Sequence, residues 1–213
     1  MVDIYTALGL ISAFSVIIPG IVLLTLVRGV KIASLRNITL LLSAFGILHG
    51  LYHLSYIANF AEYANYLDLA TALILVILGM YYTDRVVALS FFLLTLPDAA
   101  GYVVPIALGI AFVLFAWLAI KSKTIRSLQA QLAIFILIWD VAEFLRSLLL
   151  LNVINASASL QLLGLEIHTA AMVLFGAFIL LRFYRAVSSA GNTPPEWLVK
   201  QNTLPKGKQE SGP

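Results

Sequence analysis

The segment Val86-Val-Ala-Leu-Ser-Phe-Phe-Leu-Leu-Thr-Leu96, VVALSFFLLTL, decides the topology of this chain. It is apolar enough to enter a bilayer. As a helix it covers only about 16 Å at ~1.5 Å per residue, against a hydrocarbon core of roughly 30 Å. Pro97, Asp98 and Gly101 follow directly. Read as a crossing from Val86 to about Ala100, the segment makes a seven-span protein; read as a re-entrant half-helix, it leaves six spans.

The surrounding sequence settles the environment. The chain has 213 residues, 62% of them hydrophobic and 11% charged, with a mean hydropathy of +1.00. Soluble domains carry about 25% charged residues, so this composition belongs in lipid. The fold class is therefore all-α, a polytopic helical bundle, because helices satisfy their own backbone hydrogen bonds where no water can. Clear apolar spans run over residues 4–27, 38–59, 102–120, 128–151 and 160–181, with a shorter one over 66–82. The first begins after Asp3 with no Lys or Arg before it, unlike a cleaved signal peptide, and reads as a retained span.

Charge placement favours the crossing. With Val86 to Ala100 through the membrane, every one of the thirteen Lys and Arg residues except Arg146 falls on one face. Asp3, Glu62, Asp68 and Asp98 then lie on or near the other. Without it, the basic loops at Arg28, Lys31, Arg36 and at Lys121, Lys123, Arg126 land on opposite faces. The positive-inside rule selects seven helices, N-terminus outside and C-terminus cytoplasmic, in the cell membrane. Residues 1–187 form the transmembrane domain. Residues 188–213, rich in Pro, Gly, Lys and Ser, read as a flexible cytoplasmic tail.

The net charge of +3 is a topology signal and implies no nucleic-acid partner; the partners expected are the bilayer and other membrane subunits. The absence of cysteine excludes disulfides, thiolate metal sites and cysteine nucleophiles. No phosphate-binding loop is present, and no lysine in the last span offers a Schiff base for retinal. Asn155-Ala-Ser157 matches a glycosylation acceptor in an external loop. Pro97 and Pro105 predict helix breaks near the outer face.

Chemistry concentrates in a few buried polar residues. All three histidines, His49, His53 and His168, fall within spans, as do Asp140, Glu143 and Arg146 in IWDVAEFLRSLL. Counting from the outer helix ends, His53 lies roughly 9 Å deep, His49 and Asp140 roughly 15 Å, Glu143 and His168 roughly 10 Å, and Glu166 roughly 8 Å. These groups share the outer half of the membrane, which predicts an outward-facing polar cavity. Asp140, Glu143 and Arg146 step by three along one broad helix face, which makes Glu143 and Arg146 a structural ion pair. Ser43, Gly46, His49, Gly50, His53 and Ile57 form one stripe, and the Gly46/Gly50 spacing brings a neighbouring helix close. Glu166 and His168 point about 200° apart, with His168 the inward one. Tyr52, Tyr56, Tyr63 and Tyr66 read as outer-interface anchors.

Two imidazoles at i and i+4 can chelate one ion, and a third nitrogen from His168 completes a set suited to Zn, Cu or Fe. Asp140 and Glu143 are the candidate catalytic carboxylates, as a fourth ligand or as general base for a bound water. Haem, held by one histidine of the second span and His168, is the second ligand reading. The alternatives are a seven-helix sensor, receptor-like or proton-coupled transport protein, and a non-catalytic accessory subunit of a larger membrane complex. Seven spans with three histidines and acids resemble, in architecture, the membrane hydrolases of the alkaline ceramidase and adiponectin-receptor type. Order and side differ: there the paired histidines lie on the last helix near the cytoplasmic face, and here HxxxH is on the second span near the outer one.

Overall fold

The computed structural model describes residues 3–83, 100–122, 124–151, 153 and 157–189, all helix or short turns. Six long helices appear: α1 (Ile4–Val27), α2 (Ala33–Ile57), α3 (Ala61–Thr83), α4 (Ala100–Lys121), α5 (Leu128–Leu150) and α6 (Ala158–Phe178). A π-helical turn, Ile179–Phe183, carries α6 on into α7 (Tyr184–Ser189). Val86 to Leu96, Pro97, Asp98, Asn155 and the tail from residue 190 lie outside the described residues.

Five of the helices, α1 to α4 and α6, are long and apolar enough to cross a membrane, and α5 packs between α4 and α6. It carries Asp140, Glu143 and Arg146. The shorter span expected over residues 66–82 is a full helix, because α3 starts at Ala61, and α2 begins five residues earlier than its apolar run. Pro105 does not break a helix; α4 runs through it. The ring costs α4 one intrahelical bond, which packing against neighbouring helices outweighs, as it does for Pro19 inside α1.

Local chemistry sets the helix ends. Asp3 caps α1 by accepting from the Thr6 amide at 2.9 Å, and that bond holds the Asp3 carboxyl below the usual carboxylate range. Ser127 and Ser157 cap α5 and α6 through the amides of Ala130 and Leu160. α2 stops where Asn59 takes a left-handed conformation, φ 60°, a role asparagine fills more readily than other non-glycine residues.

Each helix packs on the next in sequence, and α6 closes the ring against α1. Small residues make the closest contacts. A methyl group on Gly46 would sit 2.7 Å from the Val16 carbonyl oxygen, and one on Gly50 would sit 2.8 Å from that of Ala13. Gly176 meets the Ser15 carbonyl in the same way. Ser43 donates to the Gly20 carbonyl at 2.7 Å and Ser12 to Thr169 Oγ1 at 2.9 Å, tying α1 to α2 and to α6.

These contacts fix relative direction. Gly9 meets Ile57, and Gly20 meets Ser43 and Ile47, so α1 and α2 are antiparallel. Ser12 pairs with Thr169, and Ser15 with Gly176, so α1 and α6 are parallel. Gly79, late in α3, packs on Leu114 and Phe115, late in α4, so those two helices also run the same way. Thr83 and Ala100 therefore sit at opposite ends of the bundle. One end carries Asp3, Asn59 and Ser157; the other carries Arg28, Lys31, Lys121, Arg126 and Arg182.

Gly46→Ala should lower the melting temperature in detergent, with a loss of about 1–3 kcal/mol, because the opposing atom is backbone and cannot step aside. Gly109→Ala, where nothing lies within 4 Å of the added methyl, should leave it unchanged or slightly raised.

Candidate functional site: three buried histidines at the foot of a cavity

The predicted stripe of α2 is buried: Ser43, Gly46, His49, Gly50 and His53 all turn into the bundle. In α6, His168 is buried and Glu166 exposed, as the helical spacing requires. The close approach of α1 along Gly46 and Gly50 leaves the imidazoles of α2 facing α5 and α6.

The three histidines meet there. One ring nitrogen from each of His49, His53 and His168 lies within 4.8 Å of the others, and His53 Nε2 is 3.1 Å from His168 Nε2. The rings pack directly on one another, with centroids 4.9 Å apart for His49 and His53 and 5.1 Å for His53 and His168. His49 is fully buried, and neither of its nitrogens has a hydrogen-bond partner among the described residues. Phe45 stacks on it at 5.8 Å, and Trp139 meets it edge-on at 5.0 Å. A neutral buried imidazole with no partner loses the hydrogen bonds that water would give, a cost of about 1–3 kcal/mol.

Glu143 holds the opposite edge of His168. Its Oε2 approaches His168 Nδ1 at 2.8 Å, while its Oε1 accepts from Arg146 Nη1 at 3.0 Å. The expected Glu143–Arg146 pair is present, with Glu143 fully buried and the arginine side chain 12% exposed. The His168 contact is one of proximity, without hydrogen-bond alignment; a proton on His168 Nδ1, beside this carboxylate, would leave the Nε2 lone pair on the side of the histidine group. That tautomer is the one a metal ligand needs.

Other candidates fall outside the group. Asp140 is buried and its two oxygens have no hydrogen-bond partner among the described residues, yet it does not join the histidine cluster. Tyr52 is not an interface anchor: it is fully buried, with the Arg146 guanidinium 5.0 Å above its ring. Its position three residues after His49 puts it on the same stripe, a signal present in the sequence. Tyr56, Tyr63 and Tyr66 are exposed as interface residues should be. Asp68 of α3 comes within electrostatic reach of Glu143 and Arg146, a convergence that no spacing within one helix can reveal.

A cavity of about 590 Å³ leads from the bundle end at Asp3 and Asn59 down to His53 and Arg146. Its walls come from α1, α2, α5 and α6 and mix polar side chains such as Gln161 and Tyr56 with apolar ones such as Leu149 and Leu165. The chain is thus a multi-pass helical membrane protein with a buried group of three histidines able to bind a metal ion. Comparison with protein-family models, curated proteins and solved structures found no match.

Glu143→Gln and Arg146→Gln should each destabilise the protein by about 3 kcal/mol, since each leaves a buried charge unpaired. The double variant should lose less than the sum of the two, measured by denaturation in detergent micelles.

Proposed function

We propose that this protein holds a single transition-metal ion, zinc, copper or iron, on His49, His53 and His168 in the outer half of the membrane. The observation that carries this is His49, buried with both nitrogens unpartnered beside two more imidazoles. A tetrahedral ion with bonds of ~2.05 Å separates its ligand nitrogens by about 3.3 Å. The 3.1 Å between His53 and His168 already matches one such edge. Rotation of His49 closes the others.

Three protein nitrogens leave a fourth position, and the cavity reaching His53 supplies access to it. An ion with an open position polarises carbonyl or phosphoryl oxygens and activates water near neutral pH, so the reading is a metal-dependent membrane enzyme. Glu143, beside His168, is a positioning residue. Haem fits the site poorly. Imidazoles packed at 5.1 Å with a 47° tilt leave no slot for a planar macrocycle.

A second reading rests on the same contacts. Arg146, Glu143, His168 and His53 form a continuous polar chain ending at the cavity, which suits proton movement in a carrier or sensor.

The seven-span topology, N-terminus outside, belongs to the same proposal. The late-on-late packing of Gly79 against Leu114 and Phe115, which runs α3 and α4 parallel, supports it. The cavity then opens at the end away from the basic loops, the outer one under the positive-inside rule.

Elemental analysis of protein purified from metal-supplemented cells should find about one zinc, copper or iron ion per chain. His49→Ala and His168→Ala should lose it, and Glu143→Gln should weaken binding by about 10–100-fold. Protein without stoichiometric metal, showing pH-dependent proton flux in vesicles that His53→Ala abolishes, would establish the second reading instead. Because the chain lacks cysteine, Thr83→Cys and Ser122→Cys can be labelled singly. Reaction from the same side of the membrane is expected; opposite sides would remove the seventh crossing.

A further inference from the structure

The basic end of the bundle carries a second concavity, about 560 Å³, in the outer surface between α5 and α6. Its floor is the stacked pair Phe135 and Phe178, ring centroids 4.7 Å apart, beside the small residue Ala177. Ile134, Leu174 and Leu181 flank it, with Leu174 and Leu181 52% and 62% exposed. From Arg182 to Leu174 the groove runs about 12 Å along the helix, a fraction of one leaflet.

Arg126 and Arg182 stand at its membrane-surface end. Arg182 is held in place: its Nε donates to Gln131 Oε1 and its Nη2 donates to the Arg126 carbonyl at 3.0 Å. Both acceptors are neutral. Neither arginine forms an ion pair with a described Asp or Glu. Arg182 also lies within the π-helical turn Ile179–Phe183, a distortion frequent at functional sites. A short apolar groove on the outside of the bundle, ending at two guanidinium groups that pair with no described carboxylate, complements a phospholipid with a negative headgroup.

We propose that this groove binds one anionic phospholipid, its phosphate on Arg126 and Arg182 and an acyl chain over Ala177 and the Phe135/Phe178 pair. The site is distinct from the histidine centre at the other end of the bundle and does not depend on whether metal binds there.

The test uses the full chain, purified and delipidated in a neutral detergent, then offered phosphatidylglycerol or phosphatidylcholine in mixed micelles. Retained lipid is counted by native mass spectrometry. Phosphatidylglycerol should be retained at least about fivefold better than phosphatidylcholine, with the preference shrinking as salt rises. Arg182→Gln should remove most of that preference. Ala177→Trp, which fills the groove and leaves both charges, should reduce retention of phosphatidylglycerol itself by a similar factor. Equal retention of the two lipids would overturn the proposal. So would undiminished phosphatidylglycerol binding in either variant with a parental melting temperature. If Arg182→Gln does not fold, Ala177→Trp decides alone.

Discussion

A carboxylate buried in the middle of a helical bundle governs this structure. Glu143 is fully enclosed and holds two partners at once, Arg146 one turn along its own helix and His168 on α6. Ionised groups are expensive in lipid, by several kcal/mol on most scales, unless each oxygen finds a donor. Glu143 reaches both partners only when α5 stands beside α6 at the right register and rotation. That single requirement places α5, holds the His168 ring beside the carboxylate, and keeps the Arg146 guanidinium at the cavity wall.

The rest of the site depends on how closely other helices can approach. Lipid supplies no hydrophobic force between helices, so packing and polar contacts must hold them. Gly46 and Gly50 let the α1 backbone lie against α2, and Gly176 does the same between α6 and α1. Ser12, Ser43 and Thr169 add hydrogen bonds across those seams. With one side of α2 sealed in this way, its histidines face the interior, above the aromatic floor of Phe45, Trp139 and Phe175. The two ends of the bundle are then chemically different. One opens a polar cavity toward His53; the other carries Arg126 and Arg182.

Much of this was legible in the sequence for a physical reason. Helical periodicity acts within one element, so the inward stripe of α2, the Glu143–Arg146 pair and the burial of His168 opposite an exposed Glu166 follow from spacing alone. The extent of α3 and the passage of α4 through Pro105 were not legible. Hydropathy loses a span where polar residues such as Glu62 and Asp68 occupy its outer turns, and the packing of neighbouring helices, which lets α4 run through a proline, is not written in any one helix. Tyr52 was misjudged because tyrosine suits both an interface and a buried cation–π contact, and only the position of Arg146 separates the two.

The sequence by itself determined the solvent, the helical class and the positions of the scarce polar groups, because each is a property of composition or of one helix's own periodicity. It bounded their depth as well, since rise per residue is constant. Only the tertiary structure decided which of those groups meet. That His49, His53 and His168 converge while Asp140 stays outside, that Asp68 approaches Arg146, and that α3 and α4 run parallel all depend on the rotation and order of helices in the ring. Those are set by contacts between residues far apart in the chain, at seams where glycines permit one packing and a single methyl group would forbid it.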